Sequence, residues 1–305
     1  MTVYDLKTMQ ACKVEGQSVV ALGIFDGCHL GHASVLRNAF YKAKEQKIKS
    51  VVYTFDTSAM KGQELILTLE EKIKAIRKFG IDYIAIEKFE NVRNLSGEGF
   101  VKDILVGQLG ALHATCGFNY RFGKNAECNA QDLQRFFKNV GGSVQISDKI
   151  VYNDTPISST LIREQIKSGE VEQLLSYMRP YSIYAPVKCG KGLGRKMGIS
   201  TINQEMPKGK VVPRVGVYIT ECEIGEDVYP SVTNVGYRPT TDGDNEHLNV
   251  ETHIINYVGN LYSSCIRVNF YKYLREEKRF SSLEELIAQI ESDKTRAIEY
   301  FGLHM

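Results

Sequence analysis

Two histidines three residues apart, His29 and His32, follow an apolar, β-branched segment that starts at Val19 and breaks at Gly23. This order is typical of a buried strand, a tight turn and then a helix, which we expect from Ala33 to about Gln46. Backbone N–H groups at the start of a helix, beside imidazoles and small glycines, form a binding site for a phosphate chain. The segment therefore predicts a site that handles a nucleotide.

Three other interpretations of these histidines stay open. As metal ligands they would need a third or fourth ligand, which no spacing in the chain supplies. Cys28 and His29 could form a nucleophile pair, but adjacent residues in a turn point apart. The turn could also have a purely structural role, with histidines that take no part in chemistry.

The segment from Gly23 to His32 resembles the signature of the adenylyltransferase domain of bifunctional riboflavin kinase/FAD synthetases. That domain belongs to a nucleotidylyltransferase superfamily marked by His-x-Gly-His. Three later segments fit the same domain in the same order: 54–56 (Thr-Phe-Asp), 117–123 (Gly-Phe-Asn-Tyr-Arg-Phe-Gly) and 157–163 (Ile-Ser-Ser-Thr-Leu-Ile-Arg). One short motif is weak evidence, whereas four motifs in order are strong evidence.

The resemblance implies that FMN attacks the α-phosphorus of ATP in this domain and that pyrophosphate leaves. Such a site must orient two anions and neutralise charge on phosphoryl oxygens, without a covalent nucleophile. By resemblance, His29 and His32 contact the ATP phosphates and Arg163 faces the leaving group. The resemblance also assigns Gly23, Phe25, Asp26, Gly27, Gly31, Ser158, Ser159 and Thr160 to the nucleotide, and Asp56, Asn119 and Arg121 to the flavin. The hydroxyls of 158–160 would at the same time cap a helix that we expect from Leu161 to Gln173.

A second region that could bind phosphate, residues 188–198, contains four glycines and four cations. Its spacing matches neither common glycine-rich nucleotide motif, so on its own it could be a flexible basic loop. The overlapping segment 198–203 (Gly-Ile-Ser-Thr-Ile-Asn) resembles the Gly-x-Pro-Thr-x-Asn motif of riboflavin kinases. The resemblance assigns Gly190, Gly192, Gly194 and Arg195 to ATP, and Thr201 and Asn203 to its Mg²⁺. In extended backbone the last two residues point to one side, as hard oxygen ligands of one cation should.

Three further segments, 234–240, 250–253 and 271–280, also fit the kinase. The resemblance makes Glu251 the general base for the riboflavin 5′-hydroxyl. A solvated carboxylate on a strand is the alternative interpretation of Glu251, and His253 on the same strand face could equally be structural.

The chain departs from the family pattern at three places. The loop 57–62 lacks the usual histidine flanked by prolines, Leu161 stands where many relatives have arginine, and Ser200 replaces the motif proline. Other functions therefore stay open: a flavin- or nucleotide-binding regulator with weakened catalysis, an adenylyltransferase with a non-catalytic flavin-binding barrel, or another transferase of the superfamily with an unrelated β-domain.

Composition places limits on partners and location. The chain has 305 residues and a net charge of +2 without a polybasic block, so nucleic acid is not the expected partner. The seven cysteines are scattered and read as reduced thiols of a cytoplasmic protein. No apolar run approaches the roughly 18 residues of a membrane span, so we expect no membrane association. The expected ligands are riboflavin, FMN, FAD and ATP, and the sequence does not indicate an oligomeric state.

The pattern of elements changes near residue 180. Before it, helical and strand-like segments alternate, which favours a doubly wound parallel sheet. After it, short alternating strands predict a small antiparallel β-barrel or sandwich, and we expect a terminal helix from Leu283 to Tyr300. We therefore expect an α/β protein with an FMN adenylyltransferase domain over 1–180 and a riboflavin kinase domain over 181–305.

Overall fold

The computed structural model describes residues 2–5, 14–56, 64–188, 201–238 and 247–302. Packing divides the chain into two compact units, Met1–Ser159 and Thr160–Met305. The functional boundary expected at residue 180 stays a prediction, because packing alone does not identify the residues that each activity needs.

The N-terminal unit is built on a parallel sheet of six strands in the order β1-β4-β3-β2-β5-β8. The predicted doubly wound architecture is confirmed. Its strands are β1 (Thr2–Asp5), β2 (Ser18–Leu22), β3 (Lys49–Phe55), β4 (Tyr83–Glu87), β5 (Ala111–Gly117) and β8 (Ser143–Ser147). Two short hairpins lie outside this sheet, β6 (Arg121–Phe122) with β7 (Cys128–Asn129) and β9 (Val151–Tyr152) with β10 (Thr155–Pro156).

The central strand β2 is buried along its whole length, because helices cover both faces of this sheet. Val19 and Ala21 point to one face and pack with residues of α1 and α2. Val20 and Leu22 point to the other face and pack with the π-helix and α5. The helices of this unit are α1 (Leu30–Gln46), α2 (Leu69–Arg77), α3 (Phe89–Val92), α4 (Gly97–Gly99) with the π-helix Phe100–Gln108 that continues it, a 3₁₀ turn (Lys124–Ala126) and α5 (Ala130–Asn139).

The strand order changes direction at β2. Strand β2 leads through α1 to β3 on one side, whereas β5 pairs with its other side. In open parallel sheets, ligands bind at the carboxyl ends of the strands at such a switch point. The turns after β2 and β5 lie at this edge, and both contain residues that the sequence assigns to substrates.

The C-terminal unit is an antiparallel sheet of six strands in the order β11-β16-β13-β14-β15-β12. The sheet curls, so that Lys188, beyond the end of β11, forms a bridge with Asn203 on the far edge strand. Gln204 strengthens this closure, because its Nε2 donates to the carbonyls of Ala185 (2.7 Å) and Ile266 (2.9 Å). The predicted small barrel is confirmed. Its strands are β11 (Tyr181–Pro186), β12 (Thr201–Glu205), β13 (Gly216–Ile224), β14 (Asp227–Arg238), β15 (His247–Ile254) and β16 (Cys265–Arg275), and the helices are α6 (Ser159–Ser168), α7 (Val171–Leu174) and α8 (Leu283–Gly302).

A buried ion pair attaches α8 to the barrel. The guanidinium of Arg275, at the end of β16, donates to both carboxylate oxygens of Asp293 at 2.7–3.2 Å. The side chain of Asp293 is only 2% exposed. Ala297 and Phe301 of the same helix pack with apolar residues of the sheet, so charge and apolar burial act together.

Two predicted helix boundaries are wrong. Helix α1 begins at Leu30 rather than at Ala33, because the turn before it ends early, at an extended residue 29. The single helix expected from 161 to 173 is two helices, since Gly169 has a φ of +86° and interrupts the helical backbone. Both differences come from backbone conformations that side-chain periodicity does not report.

Candidate functional sites

Residues 23–32, which comprise the turn after β2 and the first residues of α1, hold the predicted catalytic histidines. This segment is called here the histidine turn. Phe25, Gly27 and Cys28 have φ values of 56°, 91° and 43°. This left-handed course is strained for any residue with a Cβ. It brings His29 and His32 together, and their rings stack with centroids 3.8 Å apart at an angle of 22°.

Packing around the two rings fixes their position. The Phe25 ring meets the ring of His32 edge to face, with centroids 5.5 Å apart. A Cβ at Gly31 would lie 3.0 Å from Cε1 of His29, so glycine makes room for the imidazole. Phe25 is itself buried, and it anchors the turn in the apolar core beneath α1.

Burial keeps both histidines neutral. It lowers the pKa of His29 to about 4. The pKa of His32 also lies well below its ordinary value, first because of burial and then because of His29 and Lys72. The Nδ1 atoms of both rings are buried and have no hydrogen-bond partner among the residues that the structure describes. A neutral imidazole carries one N–H, so each ring can donate one hydrogen bond to a phosphate.

Asp26 connects the histidine turn to two distant segments. Its Oδ1 accepts hydrogen bonds from the backbone N–H groups of Ile66 and Leu67, both at 3.0 Å. Its carbonyl accepts a hydrogen bond from the hydroxyl of Ser159 at 2.7 Å, across 133 positions of sequence. The first and last of the four N-terminal motifs therefore meet. Because these contacts are to the protein, nucleotide binding by Asp26 stays a prediction.

The last motif crosses the division between the two units. Ser158 and Ser159 belong to the N-terminal unit, whereas Thr160 and Arg163 belong to the C-terminal unit as part of α6. Their assignment to ATP, and that of Gly23, stays a prediction. The hydroxyl of Ser159 donates to Asp26, which gives it a structural role in addition to any contact with a ligand.

The residues assigned to the flavin lie beyond β3 and β5. Asp56 follows β3, and its backbone N–H donates to the carbonyl of Glu87 at 2.9 Å. Asn119 and Arg121 are exposed and follow β5. Since β3 and β5 flank β2, all three residues are at the sheet edge that carries the histidine turn. The loop 57–62, where the family pattern has a histidine between prolines, lies outside the described residues.

Lys72 is a residue of this site that the sequence analysis did not single out. It belongs to α2, its side chain is fully buried, and its Nζ donates to the carbonyl of Phe55 at 3.0 Å. A signal was present, because Lys72 falls at helical spacing from Leu69 and Ile76, on the stripe that faces the core. A lysine on an apolar stripe is either extended to solvent or paired inside.

Two neighbouring strands of the C-terminal unit bring the predicted kinase residues together. Asn203 of β12 lies opposite Glu251 of β15. The hydroxyl of Thr201, two residues earlier, donates to Oε1 of Glu251 at 2.8 Å. The Oδ1 of Asn203 accepts a hydrogen bond from Asn249 at 3.3 Å. Thr201 and Asn203 lie opposite His253 and Glu251, so these four residues share one face of the sheet.

Two more polar residues extend this face, and the sequence analysis gave them no role. Asn234 of β14 lies opposite Glu251, and its amide donates to Glu277 at 2.8 Å. A Cβ at Gly236 would collide with the Glu277 carboxylate, so the close approach requires glycine. Asn234 and Glu277 lie inside segments that fit the kinase, 234–240 and 271–280, and this fit was the sequence signal that could have pointed to them.

The part of the kinase region that was assigned to ATP cannot be placed. Gly190, Gly192, Gly194 and Arg195 lie outside the described residues, as does Ser200. Over the described ranges, no group of three or more His, Cys, Asp or Glu side chains could hold a metal ion. A cation at Thr201 and Asn203 would therefore rely on neutral oxygens and on substrate phosphates, as Mg²⁺ commonly does.

A turn with two stacked histidines at the switch point of a parallel sheet, followed in the chain by a barrel with a carboxylate among neutral oxygens, is typical of a two-unit transferase that acts on phosphates. Residues 12–161 match the FAD synthetase family model, and residues 177–301 match the riboflavin kinase model. The chain is 33% identical over 298 residues to the bifunctional riboflavin kinase/FMN adenylyltransferase of Bacillus subtilis, covering 94% of each chain. It is 31% identical over 296 residues to the protein of that name from Escherichia coli K12, covering 93% of each. The chain belongs to this family of bifunctional transferases.

A solved structure has the same fold over nearly the whole chain. It is titled as a macrolide-efflux protein from Streptococcus pneumoniae, with a TM-score of 0.85, 26% identity and coverage of 97% of this chain and 98% of that one. In the described part of the present chain, we find no helix that is both long and apolar enough to span a bilayer.

Proposed function

We propose that the histidine turn catalyses the transfer of the adenylyl group from ATP to FMN, and that the face around Glu251 catalyses the phosphorylation of riboflavin. The hydrogen bond from Ser159 to the carbonyl of Asp26, at 2.7 Å, carries the first assignment, because it joins motifs 133 residues apart beside the stacked histidines. The hydrogen bond from Thr201 to Glu251, at 2.8 Å, supports the second.

In adenylyl transfer, a phosphate oxygen of FMN attacks the α-phosphorus of ATP. A bond forms between that oxygen and phosphorus, and the bond to the bridging oxygen of pyrophosphate breaks. His29 and His32, neutral at pH 7, each donate one N–H to phosphate oxygens where negative charge develops. The N–H groups at the start of α1 add to this stabilisation. The site therefore acts by orientation and hydrogen bonding, with no covalent intermediate.

We expect FMN to bind beside the histidine turn, next to the segments that follow β3 and β5. Arg121 is exposed there and can pair with the FMN phosphate, while Asn119 offers a hydrogen-bond donor and acceptor. Asp56, directly after β3, can accept hydrogen bonds from polar groups of the flavin. This arrangement would hold the nucleophilic phosphate close to the α-phosphorus.

In phosphorylation, the Glu251 carboxylate accepts the proton of the riboflavin 5′-hydroxyl as its oxygen attacks the γ-phosphorus of ATP. The bond from phosphorus to the ADP oxygen breaks, giving FMN and ADP. The hydroxyl of Thr201 donates to Oε1 of Glu251 at 2.8 Å and so orients the carboxylate. The Glu251 side chain is half-buried, which restricts both its motion and the access of competing water.

The residues present fit a magnesium ion carried in with ATP. The hydroxyl of Thr201 and the amide oxygen of Asn203 are hard ligands on one face of β12, and Asn203 Oδ1 accepts a long hydrogen bond of 3.3 Å from Asn249. When bound, Mg²⁺ would neutralise charge on the transferred phosphate.

The test supplies ATP, Mg²⁺ and riboflavin and separates riboflavin, FMN and FAD by chromatography. His32→Ala should abolish FAD formation and leave FMN formation within a few-fold of wild type. Glu251→Gln keeps the size of the side chain but removes the proton acceptor, so FMN formation should fall on the order of 10²-fold. FAD formation from added FMN should persist in that variant.

Each alternative gives a different product pattern. Equal loss of both products in a folded His32→Ala protein would show that the histidines are misassigned. Near-normal phosphorylation by Glu251→Gln would remove its role as base. A wild-type protein that binds ATP and riboflavin but forms neither product would be a regulator, and one that forms FAD only from added FMN would have a non-catalytic barrel.

A further inference from the structure

Lys72 occupies an unusual position for its type. The side chain is fully buried, and Nζ donates to the carbonyl of Phe55 at the end of β3. Its helical neighbour Lys74 behaves as expected, since it is exposed and pairs with Glu70. A buried ammonium is costly unless a negative charge compensates it, so the groups around Lys72 define its role.

The compensating charge comes from the histidine turn. Asp26 is only 2% exposed. Its carboxylate receives N–H groups from Ile66 and Leu67, just before the capping residue of α2, so the carboxylate and Lys72 lie at the same end of that helix. Burial lowers the pKa of Lys72. Asp26, and to a smaller extent Cys28 and Asp56, act in the opposite direction and raise this pKa.

We propose that Lys72 is a positioning residue for adenylyl transfer, whose buried ammonium cancels the charge of Asp26 so that the histidine turn can accept a polyphosphate. The proposal rests on the assignment of the ATP phosphates to this turn. The two imidazoles are neutral and bring no positive charge. Without Lys72, a nearly inaccessible carboxylate would repel the phosphates from within the turn.

A purely structural role is the competing explanation. In that case Lys72 matters because its hydrogen bond to Phe55 ties α2 to β3. The two explanations differ in what Asp26→Asn does. Oδ1 accepts both N–H groups at 3.0 Å, and Ile66 also donates to Oδ2 at 3.2 Å, so asparagine with its oxygen at the Oδ1 position keeps the two shorter bonds while losing the charge. A structural tie would not be restored by that change, whereas charge compensation would be.

The experiment measures FAD formation from FMN and ATP, and the reverse reaction with pyrophosphate, in full-length Lys72→Met, Asp26→Asn and the double variant. In Lys72→Met the KM for ATP and for pyrophosphate should rise at least tenfold, with kcat changed less. The double variant should recover most of this loss. Lys74→Met, on the exposed face of the same helix, is the control and should match wild type.

The proposal is overturned if KM for ATP does not rise in Lys72→Met, or if the double variant is no better than the single one. Should Lys72→Met fail to fold, judged by circular dichroism, Lys72→Gln decides, because its amide can still donate to the carbonyl of Phe55 but carries no charge: its KM for ATP should rise at least tenfold, and an unchanged KM refutes charge compensation. Failure of the proposed function is distinct, because then His32→Ala would retain FAD formation whatever Lys72 does.

Discussion

The two stacked imidazoles at the start of α1 couple the chemistry of the site to the stability of the N-terminal unit. Burial selects the neutral form of both rings, and in the proposed function each neutral ring donates its one N–H to a phosphate. The same burial makes the histidine turn sensitive to acid, since burial disfavours the charged form of either ring.

This coupling gives a prediction for pH. The pKa of His29 is about 4 in the folded protein, below the ordinary 6.5 of the unfolded chain. Between these values the unfolded chain binds a proton that the folded one excludes, so stability is complete above pH 6.5 and falls as pH drops toward 4. The loss from His29 should reach about 3 kcal/mol. Hydrogen exchange of the β2 amides at pH 7, 5.5 and 4.5 checks it, with His29→Gln as the reference.

Replacing His29 by glutamine removes the titrating group and keeps a polar side chain. The difference between wild type and His29→Gln should therefore shrink as the pH falls. If the stability of the two proteins changed with pH in parallel, the prediction would be contradicted, because all titratable groups other than His29 are the same in both.

At the scale of elements, a buried charge pair between α8 and β16 adds to the apolar packing that attaches this helix to the barrel. Arg275→Met should destabilise the C-terminal unit by about 3–5 kcal/mol, because it leaves the carboxylate of Asp293 buried without its partner. Denaturant unfolding measures this loss. Glu291→Ala, which breaks an exposed pair with Lys294 on the same helix, should cost less than about 1 kcal/mol. Similar losses in both variants would show that the Arg275 pair contributes nothing beyond surface electrostatics.

Hydrophobic periodicity predicted most of the helices and strands. It did not predict where several of them end, and it missed some of them. The apolar segments 51–55, 83–86 and 111–117 predict strands, and β3, β4 and β5 confirm them within two residues, as α8 does for the predicted terminal helix, because their apolar patterns match their burial. Strand β8 and helix α5 were not predicted. Strand β8 alternates exposed and half-buried residues at the sheet edge, and such an edge strand carries a weak hydrophobic signal.

The site was predictable where its residues are consecutive and not where they are distant. The histidines and Glu251 lie in motifs that can be read from the chain itself. The roles of Asp26 and Lys72 depend on contacts made after folding, across about 40 residues for the bonds from Asp26 to Ile66 and Leu67. Sequence patterning places Lys72 on the buried stripe of α2, but only the packed structure shows which charge it meets.

For the whole molecule, each unit carries its own proposed chemistry, so the activities should complement between molecules. A mixture of the His32→Ala and Glu251→Gln proteins with riboflavin and ATP should form FAD, because the first protein releases FMN and the second converts it. The FAD rate should rise with protein concentration, as expected for a freely diffusing intermediate. Chromatography of flavins over time checks this. Absence of FAD from the mixture, with both variants active separately, would mean that FMN is not released.

The hydrogen bond between Asp26 and Ser159 also has a consequence for synthesis of the chain. The ribosome makes the histidine turn early, but Ser159 follows 133 positions later, almost at the end of the N-terminal unit. Until that serine emerges from the exit tunnel, the carbonyl of Asp26 lacks the hydroxyl that fixes it. The first-made motif of the protein is thus among the last parts of its unit to be completed, and a nascent chain without residue 159 carries the histidines but not a finished site.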